Sequence, residues 1–384
     1  LAPGSRSKRE WRPLVIAASL PVQRPTDAKL LVADGRGNIR HRLRSEFVYL
    51  LRPGDLVVAN DAATLPASLS GLHRPSGGSI EVRLAGRRSL ASDAIRHFSA
   101  VVFGAGNFRV PTEDRPPPPA LAPGDKLTLG PLRATVERVL DHPRLISLCF
   151  DGSLDEIWEG LARHGRPIQY SHIPAPLFLR DVWTPIAGPP VAFEPPSAGF
   201  ALDWSVLASM AARGIRFATI THAAGISSTG DPEPDALLPF DELYRIPEST
   251  ALAIRRAREN AERVIAIGTT VVRALEHAAA WDGRLRAGEG VATQRISARS
   301  RLRIVDAILS GTHQRGTSHF DLLRAFADDT TLESIERELD SFGYRTHEFG
   351  DSVFIERQAS FAEGGVFRAG ECRAALHLTQ LQQC

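Results

Sequence analysis

Four short apolar runs are each followed by residues that can take part in catalysis or ligand binding. Asn60-Asp61 close "GDLVVAND", His222 closes "IRFATITH", Gly268-Thr269-Thr270 close "VIAIGTT", and His313 follows "IVDAILSGT". Each run predicts a short buried strand, and the carboxyl ends of parallel strands meet at one edge of a sheet. Histidines placed there can transfer protons, and a glycine turn that opens a helix offers free N–H groups to an anion. The pattern therefore predicts one ligand site at this edge, without naming a reaction.

Each of these residues also has a purely structural interpretation. Thr269 and Thr270 can cap the helix that follows them, and His222 can be an ordinary loop histidine. His313 and His319 could bind a metal ion together, but no third ligand stands at a suitable spacing. We therefore expect no metal. The sequence also lacks a P-loop, a nucleophile elbow and a Rossmann fingerprint, which disfavours ATPase, serine hydrolase and dehydrogenase functions.

The elements that position these residues alternate between helix and strand. For example, Asp203 is expected to cap a helix from Trp204 to Arg213, and a strand leading to His222 follows. Such alternation predicts a largely parallel sheet. Between Gly71 and Asp151 the pattern changes to short β-branched runs separated by Gly, Pro and Asp, which predicts a small antiparallel barrel or sandwich.

Composition limits the remaining choices. The 384 residues are 43% hydrophobic and carry a formal net charge of +2, so the chain can bury a large core and has no strongly basic footprint. An RNA partner is neither required nor excluded. Three scattered cysteines and no apolar run of membrane-spanning length predict a cytoplasmic protein without membrane contact. The tail, residues 357–384, has no clear pairing partner.

The order of several motifs resembles one known family. "RLRSEFVYLLRPGDLVVAND", "GGSIEVRL", "EPPSAGF", "DELYRIPESTALAIRRARENAERVIAIGTTVVRALE" and "YRTHEFGDSVFI" resemble the S-adenosylmethionine:tRNA ribosyltransferase-isomerases of queuosine biosynthesis. The resemblance implies an α/β fold with a barrel-like main domain and an inserted small antiparallel β-barrel. It places the main domain at residues 12–66 and 152–356 and the barrel at residues 67–151.

The resemblance also implies a reaction and a site. The ribosyl part of the co-substrate S-adenosylmethionine moves to a 7-aminomethyl-7-deazaguanine base in tRNA, and adenine and methionine leave. Since a sulfonium acidifies the neighbouring C5′–H, this chemistry needs a base but no metal. His222, Glu242 and His313 are the implied catalytic candidates. The implied S-adenosylmethionine contacts are Asn60, Asp61, Ser197, Ala198, Gly199, Gly268, Thr269, Thr270, Arg273 and Asp351.

Several positions depart from the family pattern. Ala62-Ala63 stand where the family has Thr-Arg, Phe200-Ala201-Leu202 where it has Leu-His-Phe, and Pro239-Phe240 where it has Met-His. An alanine cannot replace the carboxylate-binding fork of an arginine. Three functions therefore stay open: the family reaction on tRNA, S-adenosylmethionine chemistry on a small-molecule acceptor or its plain cleavage, and non-catalytic binding. The oligomeric state is not predicted.

Overall fold

A nine-stranded sheet forms the centre of the main domain. The computed structural model describes residues 16–358, so of the tail predicted at residues 357–384 only Arg357 and Gln358 belong to the described part. Strands and helices are numbered in chain order. From edge to edge the sheet contains β16 (Gly288–Ala292), β14 (Glu242–Ile246), β13 (Arg216–His222), β4 (Leu56–Asn60), β15 (Val264–Ile267), β17 (Ala307–Gly311), β19 (Ser352–Glu356), β2 (Lys29–Ala33) and β3 (Ile39–Leu43).

The sheet is mixed rather than largely parallel. The four central strands β13, β4, β15 and β17 are parallel neighbours, and β19 pairs with β2 in parallel. The other four pairings are antiparallel. The prediction thus holds for the centre of the sheet and is wrong for its flanks. Only between β2 and β3 does a short turn dictate the antiparallel pairing, since the other antiparallel neighbours are joined by longer segments. The carboxyl ends of the four central strands lie at the same edge of the sheet, as predicted for the site.

Strand β4 is buried from Leu56 to Asn60 because helices cover both faces of the sheet. Leu56 and Val58 face one hydrophobic cluster, while Val57 and Ala59 face the other, as expected for side chains that alternate along a strand. The helices are α1 (Leu154–His164), α2 (Leu179–Val182), α3 (Trp204–Ala212), α4 (Pro232–Asp235), α5 (Glu248–Glu259), α6 (Thr269–Ala278), α7 (Ser318–Leu323) and α8 (Asp329–Ser341).

The inserted segment folds into a closed antiparallel barrel with its own apolar core, not into a sandwich. Its strands are β6 (Ser68–His73), β7 (Gly78–Arg87), β8 (His97–Phe103), β9 (Lys126–Leu129), β10 (Leu132–Val139) and β11 (Leu145–Phe150). The predicted fold class, an α/β protein with an inserted β-barrel, is confirmed. All six strands lie within the predicted segment 67–151; its two boundaries stay a prediction.

Short elements complete the described chain. Two small sheets pair β1 (Ile16–Ala17) with β18 (Arg345–Thr346) and β5 (Ala63–Thr64) with β12 (Pro190–Ala192). Three 3₁₀ helices cover Arg44–Leu50, Thr112–Asp114 and Ser197–Ala201. Asp203 caps α3 as predicted, with its side chain accepting a hydrogen bond from the Val206 N–H. Within residues 16–358 we find no helix with the length and apolarity that a membrane crossing requires.

Candidate active site

A cavity lies at the carboxyl ends of the central parallel strands. We call it the strand-end cavity. Eight of the thirteen residues predicted for the site are among those that line it: Ser197, Ala198, Glu242, Gly268, Thr269, Thr270, Arg273 and His313. The other five, which are Asn60, Asp61, Gly199, His222 and Asp351, are not among its lining residues. The sequence therefore located the cavity, although it did not separate lining residues from the residues behind them.

Gly268 opens the strand-end cavity at the start of α6. Its backbone angles, φ 93° and ψ 159°, belong to a region that essentially only glycine adopts. A Cβ at this position would lie 3.3 Å from the Cβ of Ala198 in the facing 3₁₀ helix. Gly268 is the N-cap residue, and no side chain caps the helix. The capping interpretation of Thr269 and Thr270 is thus wrong, and the positive end of the ten-residue α6 faces the cavity without a side-chain acceptor.

A buried ion pair forms another wall. Arg273 and Glu242 are 5% and 8% exposed, and the Arg273 Nη1 donates to Glu242 Oε2. The Gly225 N–H donates to the other carboxylate oxygen at 2.6 Å, and Arg273 Nη2 donates to the Ala292 carbonyl at 2.9 Å. Among the described residues, Arg273 Nε has no hydrogen-bond partner. The pair fixes one carboxylate and one guanidinium at the cavity with charges that balance.

His222 lies behind this pair. It is fully buried, its Nε2 is 3.5 Å from Glu242 Oε2, and neither ring nitrogen has a hydrogen-bond partner among the described residues. Burial, together with the nearby charge of Arg273, holds the pKa of His222 well below its usual value. The imidazole is therefore neutral at pH 7, and the structure separates it from the cavity by the carboxylate of Glu242.

Two stacked histidines line the cavity on the side of α7. The rings of His313 and His319 lie 4.8 Å apart at an angle of 14°. The Ser310 hydroxyl is 2.8 Å from His313 Nε2. Burial lowers the pKa of both histidines, that of His313 to well below its usual value. At neutral pH they form an uncharged flat surface, and His319 is a lining residue that the sequence prediction left out of the site.

Asn60 and Asp61 hold neighbouring strand ends together. The Asn60 side chain donates to the His222 carbonyl and accepts from the His222 N–H, both at 2.9 Å. Asp61 accepts from the hydroxyls of Thr219 and Thr221 at 2.9 and 2.7 Å. These contacts join β4 to β13. Asn60 Nδ2 also donates to the hydroxyl of the lining residue Thr270 at 3.4 Å. Contact of Asn60 and Asp61 with a ligand stays a prediction.

Gly199 and Asp351 are both buried and contact other parts of the fold. Gly199 is buried in the 3₁₀ helix, where an added Cβ would meet Thr184 at 3.0 Å. Asp351 is 1% exposed, and its two oxygens accept from the backbone N–H groups of Lys29 and Arg345 at 2.7 Å each. Neither is among the residues that line the cavity, and their contact with a ligand stays a prediction.

A second, adjoining cavity shares a wall with the first. Besides residues of the main domain, it is lined by Thr112 and Glu113 of the barrel domain, so the insertion contributes to the cleft. On one side three rings lie in sequence, with Tyr170 and His172 6.4 Å apart at 10° and His172 and His347 4.1 Å apart at 16°. His172 Nε2 contacts Glu348 Oε2 at 3.0 Å. The three rings give this cavity a flat aromatic wall.

Glu194 lines both cavities, and sequence reasoning did not single it out. It is the first residue of "EPPSAGF", so the signal was present in a segment already noted for the family resemblance. Burial, with a contribution from Glu348, raises the pKa of Glu194 to about 7, while hydrogen bonds from Tyr170 and Ser227 oppose this shift. A carboxyl group with such a pKa can both accept and donate a proton near neutral pH.

Two groups of side chains in the described part of the chain have metal-ligand composition. They are His97, Glu137 and Cys149 on the barrel, and His172, His347 and Glu348 beside the adjoining cavity. His313 and His319 belong to neither group. The pair that the sequence offered as metal ligands thus has no third ligand within residues 16–358.

The chain is similar to known proteins over most of its length. A family model described as "Queuosine biosynthesis protein" matches residues 13–355. The S-adenosylmethionine:tRNA ribosyltransferase-isomerase of Gloeobacter violaceus is 32% identical, over 88% of this chain and 92% of the relative. The protein of the same name in Citrifermentans bemidjiense is 32% identical, over 89% and 97%. The crystal structure of the Thermotoga maritima S-adenosylmethionine tRNA ribosyltransferase is 23% identical, covers 88% of this chain and 96% of that one, and gives a TM-score of 0.47.

Proposed function

The chain belongs to the queuosine biosynthesis protein family, and we propose that it is an S-adenosylmethionine:tRNA ribosyltransferase-isomerase. The observation that carries this proposal is similarity at 32% identity over nearly the whole length of relatives with that name. The enzyme moves the ribosyl part of S-adenosylmethionine to a 7-aminomethyl-7-deazaguanine base in tRNA. Adenine and methionine are the released products.

The strand-end cavity suits S-adenosylmethionine. The methionine part of this molecule carries a carboxylate, and the uncapped start of α6 at Gly268-Thr269-Thr270 offers N–H donors and a positive dipole end. Ser197 and Ala198 line the cavity opposite that turn. We assign the carboxylate to the turn and the neutral stacked rings of His313 and His319 to the side on which a flat adenine ring can pack.

The predicted catalytic residues take different positions in this proposal. Glu242 and His313 line the cavity, which supports the proposal that both contact the co-substrate. His222 lies behind Glu242, so its effect on turnover goes through the position and charge of that carboxylate. Arg273 balances the charge of Glu242 from the other side. No step of the proposed reaction needs a metal, because the sulfonium itself acidifies the C5′–H.

Most departures from the family pattern lie in packed positions. Ala62 and Ala63, at the family's Thr-Arg, are 1% and 4% exposed, and Ala201, at the family's histidine, is 9% exposed. Pro239, at the family's methionine, instead lines both cavities. The three alanines that replace polar family residues are thus part of the packing around the cavity. The comparisons give no support to the two other functions considered, a small-molecule acceptor and non-catalytic binding. We retain them as outcomes of the experiment. We also propose a cytoplasmic location, because the tRNA substrate is there.

The experiment is to incubate the protein with S-adenosylmethionine and quantify adenine and methionine by mass spectrometry. One sample contains tRNA with the aminomethyl-deazaguanine base, a second the same tRNA with guanine at that position, and a third no tRNA. Release only in the first sample, with a matching mass gain on the base, is the expected result. Release in all three indicates cleavage or another acceptor. No release, with binding retained in calorimetry, contradicts the proposed reaction and favours a binding protein.

A further inference from the structure

The two cavities meet at a shared wall, and a group transfer between two substrates has to take place where they meet. Under the proposed function, the strand-end cavity holds S-adenosylmethionine and the adjoining cavity receives the acceptor base. The aromatic wall of Tyr170, His172 and His347 suits an unstacked nucleobase. The acceptor arrives with an aminomethyl group that is an ammonium ion at neutral pH, and such an amine has to lose a proton before it can act as a nucleophile.

Four titratable residues of the described chain line both cavities: Glu194, Arg273, His313 and His319. Arg273 is bound to Glu242. His313 and His319 are stacked on each other, and His313 Nε2 is already engaged by the Ser310 hydroxyl. Glu194 is the remaining member, and it is the one carboxyl group among the four.

The two oxygens of Glu194 have different surroundings. Oε1 accepts hydrogen bonds from the Tyr170 hydroxyl, from the Ser227 N–H at 3.0 Å and from the Ser227 hydroxyl at 3.2 Å. Within residues 16–358 no hydrogen bond to Oε2 is found. One oxygen therefore fixes the carboxyl group and the other stays available to a substrate.

The charges around Glu194 come from several elements. Glu348, beside the ring of His172, raises the pKa of Glu194, and Tyr170 lies next to the guanidinium of Arg83 in the barrel, whose charge also interacts with Glu194. Burial is the largest cause of the raised pKa. The carboxyl group thus changes its protonation state in the range in which the enzyme would work.

We infer that Glu194 removes the proton from the aminomethyl ammonium of the acceptor base, and that Tyr170 and Ser227 position it. An N–H bond of the ammonium breaks, its electron pair stays on nitrogen as the nucleophilic lone pair, and the proton moves to Glu194 Oε2. The neutral carboxylic acid can return this proton to a ring nitrogen of the departing adenine, so no other oxidant, reductant or acid is needed. This inference rests on the proposed function.

The test compares turnover of the full chain and of Glu194→Gln between pH 5.5 and 9, with S-adenosylmethionine and tRNA carrying the aminomethyl base. For the unchanged chain, kcat/KM should rise tenfold per pH unit up to about pH 7 and then level off. Glu194→Gln should lower turnover at pH 7 by about 100-fold or more. Its residual rate should keep rising to about pH 9, because solvent then has to deprotonate the ammonium.

A second variant covers the case in which Glu194→Gln does not fold. Tyr170→Phe removes a hydrogen bond that favours the carboxylate, so the midpoint of the pH profile should move upward by roughly half a unit or more. Tyr49→Phe is the matched control, since Tyr49 is 69% exposed and lines neither cavity, and its profile should not move. Affinity for S-adenosylmethionine, measured by calorimetry, should stay within about threefold for all three variants.

The outcomes separate this inference from the proposed function. If the unchanged chain releases no adenine with the tRNA, the proposed function fails. If it is active but Glu194→Gln keeps its rate, or loses rate with a pH profile parallel to that of the unchanged chain, the inference alone is overturned. An unmoved profile in Tyr170→Phe overturns the positioning role of Tyr170.

Discussion

Replacing Gly268 by alanine should weaken both folding and S-adenosylmethionine binding. At φ 93° and ψ 159° a non-glycine residue costs about 1–3 kcal/mol. The new Cβ would also lie 3.3 Å from the Cβ of Ala198, so the turn or the facing 3₁₀ helix has to move by a few tenths of an ångström. If this movement costs one hydrogen bond to the carboxylate of the ligand, affinity falls by about 1.5–3 kcal/mol, which is roughly 10- to 100-fold in Kd.

Urea unfolding and titration calorimetry measure the two effects separately. Gly283→Ala is the matched control, because Gly283 also has a positive φ, 76°, but an added Cβ there meets nothing within 4 Å. This control should lose about 1–2 kcal/mol of unfolding free energy and keep its affinity. The double variant Gly268→Ala with Ala198→Gly removes the Cβ contact and should recover part of the affinity while the backbone cost remains.

One result would refute this reasoning. If Gly268→Ala loses stability like Gly283→Ala but binds S-adenosylmethionine with unchanged Kd, the turn before α6 does not contact the ligand. The assignment of the carboxylate to that turn would then be withdrawn.

Three further predictions concern the cavity walls and His222 behind them. Thr270→Val should weaken S-adenosylmethionine binding in calorimetry by about 1–3 kcal/mol, and unchanged affinity would exclude its hydroxyl as a ligand contact. Glu242→Gln and Arg273→Met should each lower the unfolding free energy by about 3–5 kcal/mol, because each leaves a buried partner unmatched. In urea unfolding the double variant should lose clearly less than the sum of the singles, so additivity within about 0.5 kcal/mol would contradict the ion pair. The pKa of His222 is lower in the folded protein than in the unfolded chain. Below about pH 6.5 the unfolded chain therefore binds a proton that the folded protein does not, and the free energy of unfolding decreases as the pH falls. His222→Leu should therefore reduce the slope of unfolding free energy against pH, measured below pH 6.5, by about 1.4 kcal/mol per unit, and an unchanged slope would show that the imidazole is protonated in the folded state.

Local sequence patterns predicted the strands, the turn and the helix cap because each of these depends on residues that are close together in the chain. The apolar runs that became β4 and β15 are buried along their whole length, and Gly268 stands at the turn where the backbone requires glycine. Asp203 caps its helix through a residue only three positions away.

The sequence by itself determined the α/β class, the inserted strands and the four strand ends that surround the cavity, because hydrophobic periodicity and turn residues act over a few positions. Only the tertiary structure decided which side chains face the cavity. The Asn60 side chain donates a hydrogen bond to the His222 carbonyl, and His222 lies behind Glu242. Glu194 accepts a hydrogen bond from Tyr170, which lies 24 positions earlier in the chain. Burial, hydrogen-bond partners and pKa shifts depend on neighbours that are distant in sequence, so no local pattern contains them.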